Sequence, residues 1–184
     1  MSPFPMTAIP TLPPAGPSCL WQVHKRAEGE RRMQLPPPHP CDTGPTQQGT
    51  GFMKVRLSTA GPPCDQNPGL IPDGSVLETR GVLLRRADGL ADFTGRFTIT
   101  SPTGVVLFRG AIELMDRVGT HHAPFGTEPC NPESHVEGWL VGLGEPTLPN
   151  HCLRALFVAR GQLGPGGGPF PILGSLDGVF VKTP

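Results

Sequence analysis

From about residue 51 onward, short apolar stretches recur along the chain, each bounded by Gly, Pro, Asp or Asn. The alternation is clearest in two neighbouring segments. In 92–100 (DFTGRFTIT), Phe93, Phe97 and Ile99 share a face with Gly95, and Thr94, Arg96, Thr98 and Thr100 take the other. In 104–117 (GVVLFRGAIELMDR), Val106, Phe108, Ile112 and Leu114 share a face with Gly110, and Arg109, Glu113 and Arg117 oppose them. Period two puts each set on one side of a pleated strand. The same reasoning predicts strands at 52–58, 75–87, 136–143, 152–161 and 176–183. Many strand-length segments with turn signals between them indicate an all-β domain.

The connections support an antiparallel meander. Asp88-Gly89-Leu90-Ala91 can reverse the chain, and Ser101-Pro102-Thr103-Gly104 places Pro where φ is fixed and Gly at the close. Gly81, Gly95 and Gly110 fall inside three successive strands. Interior glycine weakens a flat strand but permits the bending that a closing sheet needs. The expected fold is a small, strongly curved antiparallel β-barrel over residues 51–184; a two-sheet β-sandwich is the alternative. Closure also removes edges that a weakly charged chain protects poorly. The run GRFTIT, a short turn, then GVVLFRGAIEL (residues 95–114) resembles strand pairs of lipocalin-like and allene-oxide-cyclase-like barrels. It supplies no transferable active-site residue.

Residues 1–50 read differently. Pro3, Pro5, Pro10, Pro13, Pro14 and Pro17 punctuate the start, and Pro36, Pro37, Pro38 and Pro40 the end. This is the signature of a disordered Pro-rich tail. Between the two clusters, Ser18 can cap one short helix near 18–34, with Leu20, Trp21 and Val23 on one side; Gly29 makes it marginal. The mixed-sign KRAEGERR run reads as a solvated helix or coil. Met33 and Met53 are alternative starts, so residues 1–52 can be read as an addition to the barrel.

Composition narrows the functional classes. With 25 Gly and 25 Pro in 184 residues, turns dominate and long helices are disfavoured. Fifteen basic residues balance fifteen acidic ones, so no general field exists to hold nucleic acid, and weak mutual repulsion favours a homo-oligomer. No apolar run is long enough for a membrane span. The five cysteines form no CxxC pair, which favours reduced thiols, a soluble chain and a cytoplasmic location; a Cys130–Cys152 bridge is the exception left open.

The densest chemistry lies in 119–139 (GTHHAPFGTEPCNPESHVEGW). His121 or His122 can meet His135 across the mouth of a hairpin, and His135 and Glu137 share a strand face. Two histidines and a carboxylate suit a divalent metal such as zinc and leave positions for substrate. Adjacent His121 and His122 point to opposite faces of an extended chain, so the bland alternative is a polar rim loop with no cofactor. Cys130 is a candidate nucleophile with His122 or His135 as base, although no helix N-terminus lowers its pKa. GPGGGP at 164–169 precedes no helix and reads as a loop rather than a phosphate cradle.

Three functions follow. The first is binding of a small, largely apolar ligand inside the barrel or at its rim, lined by Phe93, Phe97, Phe108, Ile112, Trp139 and Phe157, which otherwise fill the core. The second is a metal-dependent enzyme built on His121, His122, His135 and Glu137. The third is a structural or oligomerising module without a ligand. Arg85, Arg96, Arg109, Arg154 and Arg160 are expected on the solvated outer face, the alternative being an interior that takes an anion.

Overall fold

A computed structural model describes residues 23–34, 47–60, 69–85, 90–118, 133–145, 150–162 and 168–182. They form eight strands: β1 (Val23–Gln34), β2 (Gln47–Thr59), β3 (Val76–Arg85), β4 (Leu90–Thr100), β5 (Val106–Val118), β6 (Glu133–Gly144), β7 (His151–Gln162) and β8 (Phe170–Lys182). Each pairs antiparallel with its sequence neighbour, and β8 pairs with β1, so the sheet is a closed up-and-down barrel. A sandwich is excluded because no strand lacks a neighbour on either side.

All seven expected strands are present. Two differences extend the barrel toward the N-terminus. Residues 23–34 form β1, not a helix, and 47–50 belong to β2, so residues before 51 contribute to the barrel wall. The reason lies in the inward register of β1. Val23, Lys25, Ala27, Arg31 and Met33 are buried, while Arg26, Glu28, Glu30, Arg32 and Gln34 are exposed. Two inward cations hide the alternation. The helix-favouring Lys, Arg, Ala and Glu are overridden by pairing on both sides, a case of tertiary context beating propensity. The turn at 101–104 is as expected: Gly104 donates to Ser101 O at 3.0 Å with φ 89°. The turn at 88–89 and the segment before Val23 lie outside the described residues.

The register fixes the size of the barrel. A circuit from His24 to Asp177, Leu156, Trp139, Glu113, Thr94, Val82 and Thr50 returns to β1 at Gln34, ten residues further on. With a rise of about 3.3 Å per residue and about 4.8 Å between strands, that stagger tilts the strands by about 40°. Eight strands at this tilt leave room for side chains and little more. Close approach sets the inward residues. Gly81 faces Gly95 across β3 and β4; a Cβ on Gly81 would lie 2.2 Å from Thr94 O. At Gly51 an added Cβ would lie 2.8 Å from the Phe93 ring, so the aromatic occupies the space that the glycine leaves.

The two ends differ. Residues 69–75 fold over one end, hereafter the capped end. Ile71 is fully buried there, and Gly74 N donates to Leu57 O and Leu57 N to Ser75 O, both at 2.8 Å. Burying an isoleucine side chain stabilises by about 1.5–3 kcal/mol. Asp73 ties the cap down by accepting from Thr59 Oγ1 at 2.5 Å and from Lys25 Nζ at 3.3 Å. The Thr59 hydroxyl, and after it the Lys25 ammonium, hold the Asp73 carboxyl below its ordinary range. A depressed carboxylate contributes stability above its unfolded pKa and loses it as pH falls through the folded value, so this latch holds at neutral pH and slackens in acid. The other end, where β1, β3, β5 and β7 finish and β2, β4, β6 and β8 begin, is the mouth.

A chain started at Met53 lacks β1 and the first residues of β2, and leaves the edges of β2 and β8 unpaired. We expect it to aggregate or to elute as an expanded species on size exclusion, with loss of cooperative unfolding, whereas a chain that retains β1 unfolds in one transition.

Candidate functional site at the mouth of the barrel

The interior is mostly apolar. Phe93, Phe97, Phe108, Ile112 and Phe157 all point inward and are no more than 1% exposed. Phe108 stacks on Phe180 with ring centroids 5.3 Å apart. Four of these five residues fill the middle and the capped end; Phe93 lies toward the mouth, paired with Leu83 and Leu114. Trp139 departs from the set. It stands on the outer wall, 42% exposed, with the Arg154 guanidinium 5.2 Å from its ring centroid. The inward positions of that stretch are taken by Val136, Gly138, Leu140 and Gly142, so the indole does not line the interior.

Toward the mouth, the apolar interior is interrupted by a charge pair. Arg31 of β1 and Asp116 of β5 both point inward and are 2% and 0% exposed. β1 and β5 are opposite strands of the ring, so the pair crosses the barrel. Arg31 Nη2 donates to Asp116 Oδ2. Asp116 Oδ1 is buried and has no hydrogen-bond partner among the described residues. Thr79 Oγ1, buried on β3, also lacks one among them. An ion pair removed from water gains Coulomb energy but loses hydration, and it is often no more stable than well-packed apolar residues. An unsatisfied buried acceptor costs about a further 1–3 kcal/mol. Met33, Met53, Leu83 and Phe170 surround this region; Met33 and Met53 are unbranched and adapt easily to a changing neighbour. The sequence signal was available in principle: Asp116 keeps the inward parity of Phe108, Ile112 and Leu114. Its partner was hidden because β1 was read as a tail.

The chain matches no family model, no curated protein and no solved structure.

The expected metal site is only partly within the described residues. His121, His122 and Cys130 lie outside them. His135 and Glu137 come together on the outer face of β6, with Nε2 and Oε2 3.4 Å apart. Arg160 Nε donates to His135 Nδ1 at 3.1 Å, so the imidazole presents Nε2–H to the carboxylate. Among the described residues, no three His, Cys, Asp or Glu side chains are grouped to hold a metal ion. Cys152, the second residue of β7 at the capped end, is a free thiol. Arg96, Arg109, Arg154 and Arg160 are on the outer face, as expected; the Arg85 side chain lies outside the described set. No helix among the described residues is long and apolar enough to cross a membrane.

Arg31→Met alone strands a buried carboxylate, and we expect it to cost about 3–5 kcal/mol. The double variant Arg31→Met/Asp116→Leu is expected to recover most of that loss. Chemical denaturation of the four proteins in the cycle measures the coupling; a double variant no more stable than Arg31→Met would contradict this account of the pair.

Proposed function

We propose that the chain is a small-molecule binding barrel that takes a largely apolar ligand at its mouth. The observation that carries the reading is the unpartnered Asp116 Oδ1, held by Arg31 within an otherwise apolar end. The ion pair is neutral as a unit, so the ligand that complements it is neutral and offers one hydroxyl or amide donor. Such a donor removes the cost of the orphaned acceptor, which the free protein bears. The opposite end is closed by Ile71 and the 69–75 segment, so access is from the mouth. Phe93, Met33 and Phe170 supply apolar contact beside the pair. Phe97, Phe108, Ile112 and Phe157 act as the packed floor rather than as ligand contacts.

Isothermal titration with 1-decanol, decanoate and decylamine tests this. Decanol is expected to bind more tightly than either charged analogue, and Asp116→Leu in the Arg31→Met background is expected to abolish that preference. Equal affinity for all three probes, or a preference unchanged in the double variant, rejects the reading.

A second reading, self-association, is favoured by the outer wall of β5, β6 and β7. Trp139, Val141 and Leu143 form an exposed stripe, with Leu143 67% exposed. Arg109 and Arg154 flank its capped-end half, and Glu113 and Glu137 lie toward the mouth. Two copies packed with their barrels antiparallel set the cations of one against the carboxylates of the other while covering the apolar stripe. Trp and Arg are also the residues most often dominant in such contacts. Sedimentation of the wild type is expected to show a dimer that Trp139→Ser/Leu143→Ser converts to monomer at the same concentration. A wild-type monomer at tens of micromolar rules this second reading out.

A further inference from the structure

The outer wall on the other side of the barrel carries a charge pattern that the interior site does not use. Cross-strand register places Arg32 beside Phe52, Phe52 beside Arg80, and Arg80 beside Arg96, on β1, β2, β3 and β4 in turn. Arg32, Arg80 and Arg96 are exposed, and Phe52 is half-buried. The neighbouring row toward the capped end is balanced. There Glu30, Lys54 and Glu78 alternate in sign, with Lys54 Nζ 3.3 Å from Glu78 Oε1. The row toward the mouth, Gln34, Thr50, Val82 and Thr94, is neutral. None of the three arginines makes an ion pair with another described residue, and Arg80 and Arg96 stand directly opposite each other. Like charges in that position destabilise a sheet unless an anion lies between them.

Shape supports the same conclusion. An open groove of about 730 Å³ runs over the β1–β3 part of this wall, bordered by Arg32, Phe52, Arg80 and Lys54, with Glu30 at its edge; Arg96, on β4 opposite Arg80, stands just beyond it. Arg80 lies over the Phe52 ring, 5.3 Å from its centroid, which fixes the plane of the guanidinium and leaves its N–H edge free. Arginine forks match phosphate oxygens two at a time. Three strand spacings of about 4.8 Å separate Arg32 from Arg96, too far for one phosphate to bridge.

We infer that the Arg32–Phe52–Arg80–Arg96 row is a binding site for a phosphate chain, either inorganic polyphosphate or the triphosphate of a nucleotide. The chain lies across the strands, with adjacent phosphates on Arg80 and Arg96 and its far end on Arg32.

Titration calorimetry at low ionic strength, with tripolyphosphate, orthophosphate and ATP as probes, tests this on the full chain. Tripolyphosphate is expected to bind at least tenfold more tightly than orthophosphate. Arg80→Gln and Arg96→Gln are each expected to weaken it at least fivefold, whereas Arg160→Gln, on β7 and hydrogen-bonded to His135 Nδ1 at 3.1 Å, leaves it unchanged. ATP equal to tripolyphosphate identifies the chain alone as the ligand; ATP binding more tightly identifies a nucleotide. Melting provides a second readout. Without anion, Arg96→Gln is expected to melt at or above the wild-type temperature, and with tripolyphosphate in excess, below it. Equal loss of affinity in Arg160→Gln, or none in Arg80→Gln and Arg96→Gln, overturns the proposal.

Discussion

The constraint on which the rest of the molecule depends is closure of eight strands with a stagger of ten residues. It sets a narrow, strongly tilted cylinder, and the narrow cylinder dictates what points inward. Neighbouring strands approach so closely at Gly81 and Gly95 that a single Cβ meets the next backbone. The aromatic rings then occupy the volume that the glycines release, as Phe93 does over Gly51. The interior is thus a packed core, and any room for a partner molecule lies at an end or outside.

Closure also makes the charge distribution intelligible. Arg31 and Asp116 belong to strands far apart in sequence and opposite in the ring, and only a closed wall brings them together. Outside, a formal net charge of zero conceals two unlike walls. The one formed by β5–β7 presents an apolar stripe, and the one formed by β1–β4 a row of arginines. A sum over the sequence averages these away, which is why composition spoke against nucleic-acid fields in general and said nothing about a local anion site.

Much of the fold was legible because β4 and β5 alternate cleanly and their turn is well marked by Pro102 and Gly104. β1 was not, because Lys25 and Arg31 occupy inward positions and make both faces look polar. Trp139 misled for the converse reason. In GWLVGLG (138–144) both parities are apolar or glycine, and the heavier set, Trp139, Val141 and Leu143, turns outward while Gly138 and Gly142 turn in. Hydrophobicity alone assigns the larger side chains to the core; strand curvature assigns the glycines there instead. The candidate site suffered twice. Asp116 carried the right parity, but its partner lay on an unrecognised strand, and the His-rich segment drew attention to residues of which only His135 and Glu137 fall within the described wall.

The pairing of β1 with β8 has a consequence for how the molecule comes into being. Among the described strands, the first to leave the ribosome, β1, has its second neighbour in the last, β8. Until β8 pairs, the nascent sheet is an open ribbon with two bare margins and a half-formed charge pair. Among the described strand pairs, closing the ring therefore spans the longest stretch of chain and carries the largest loop-closure entropy.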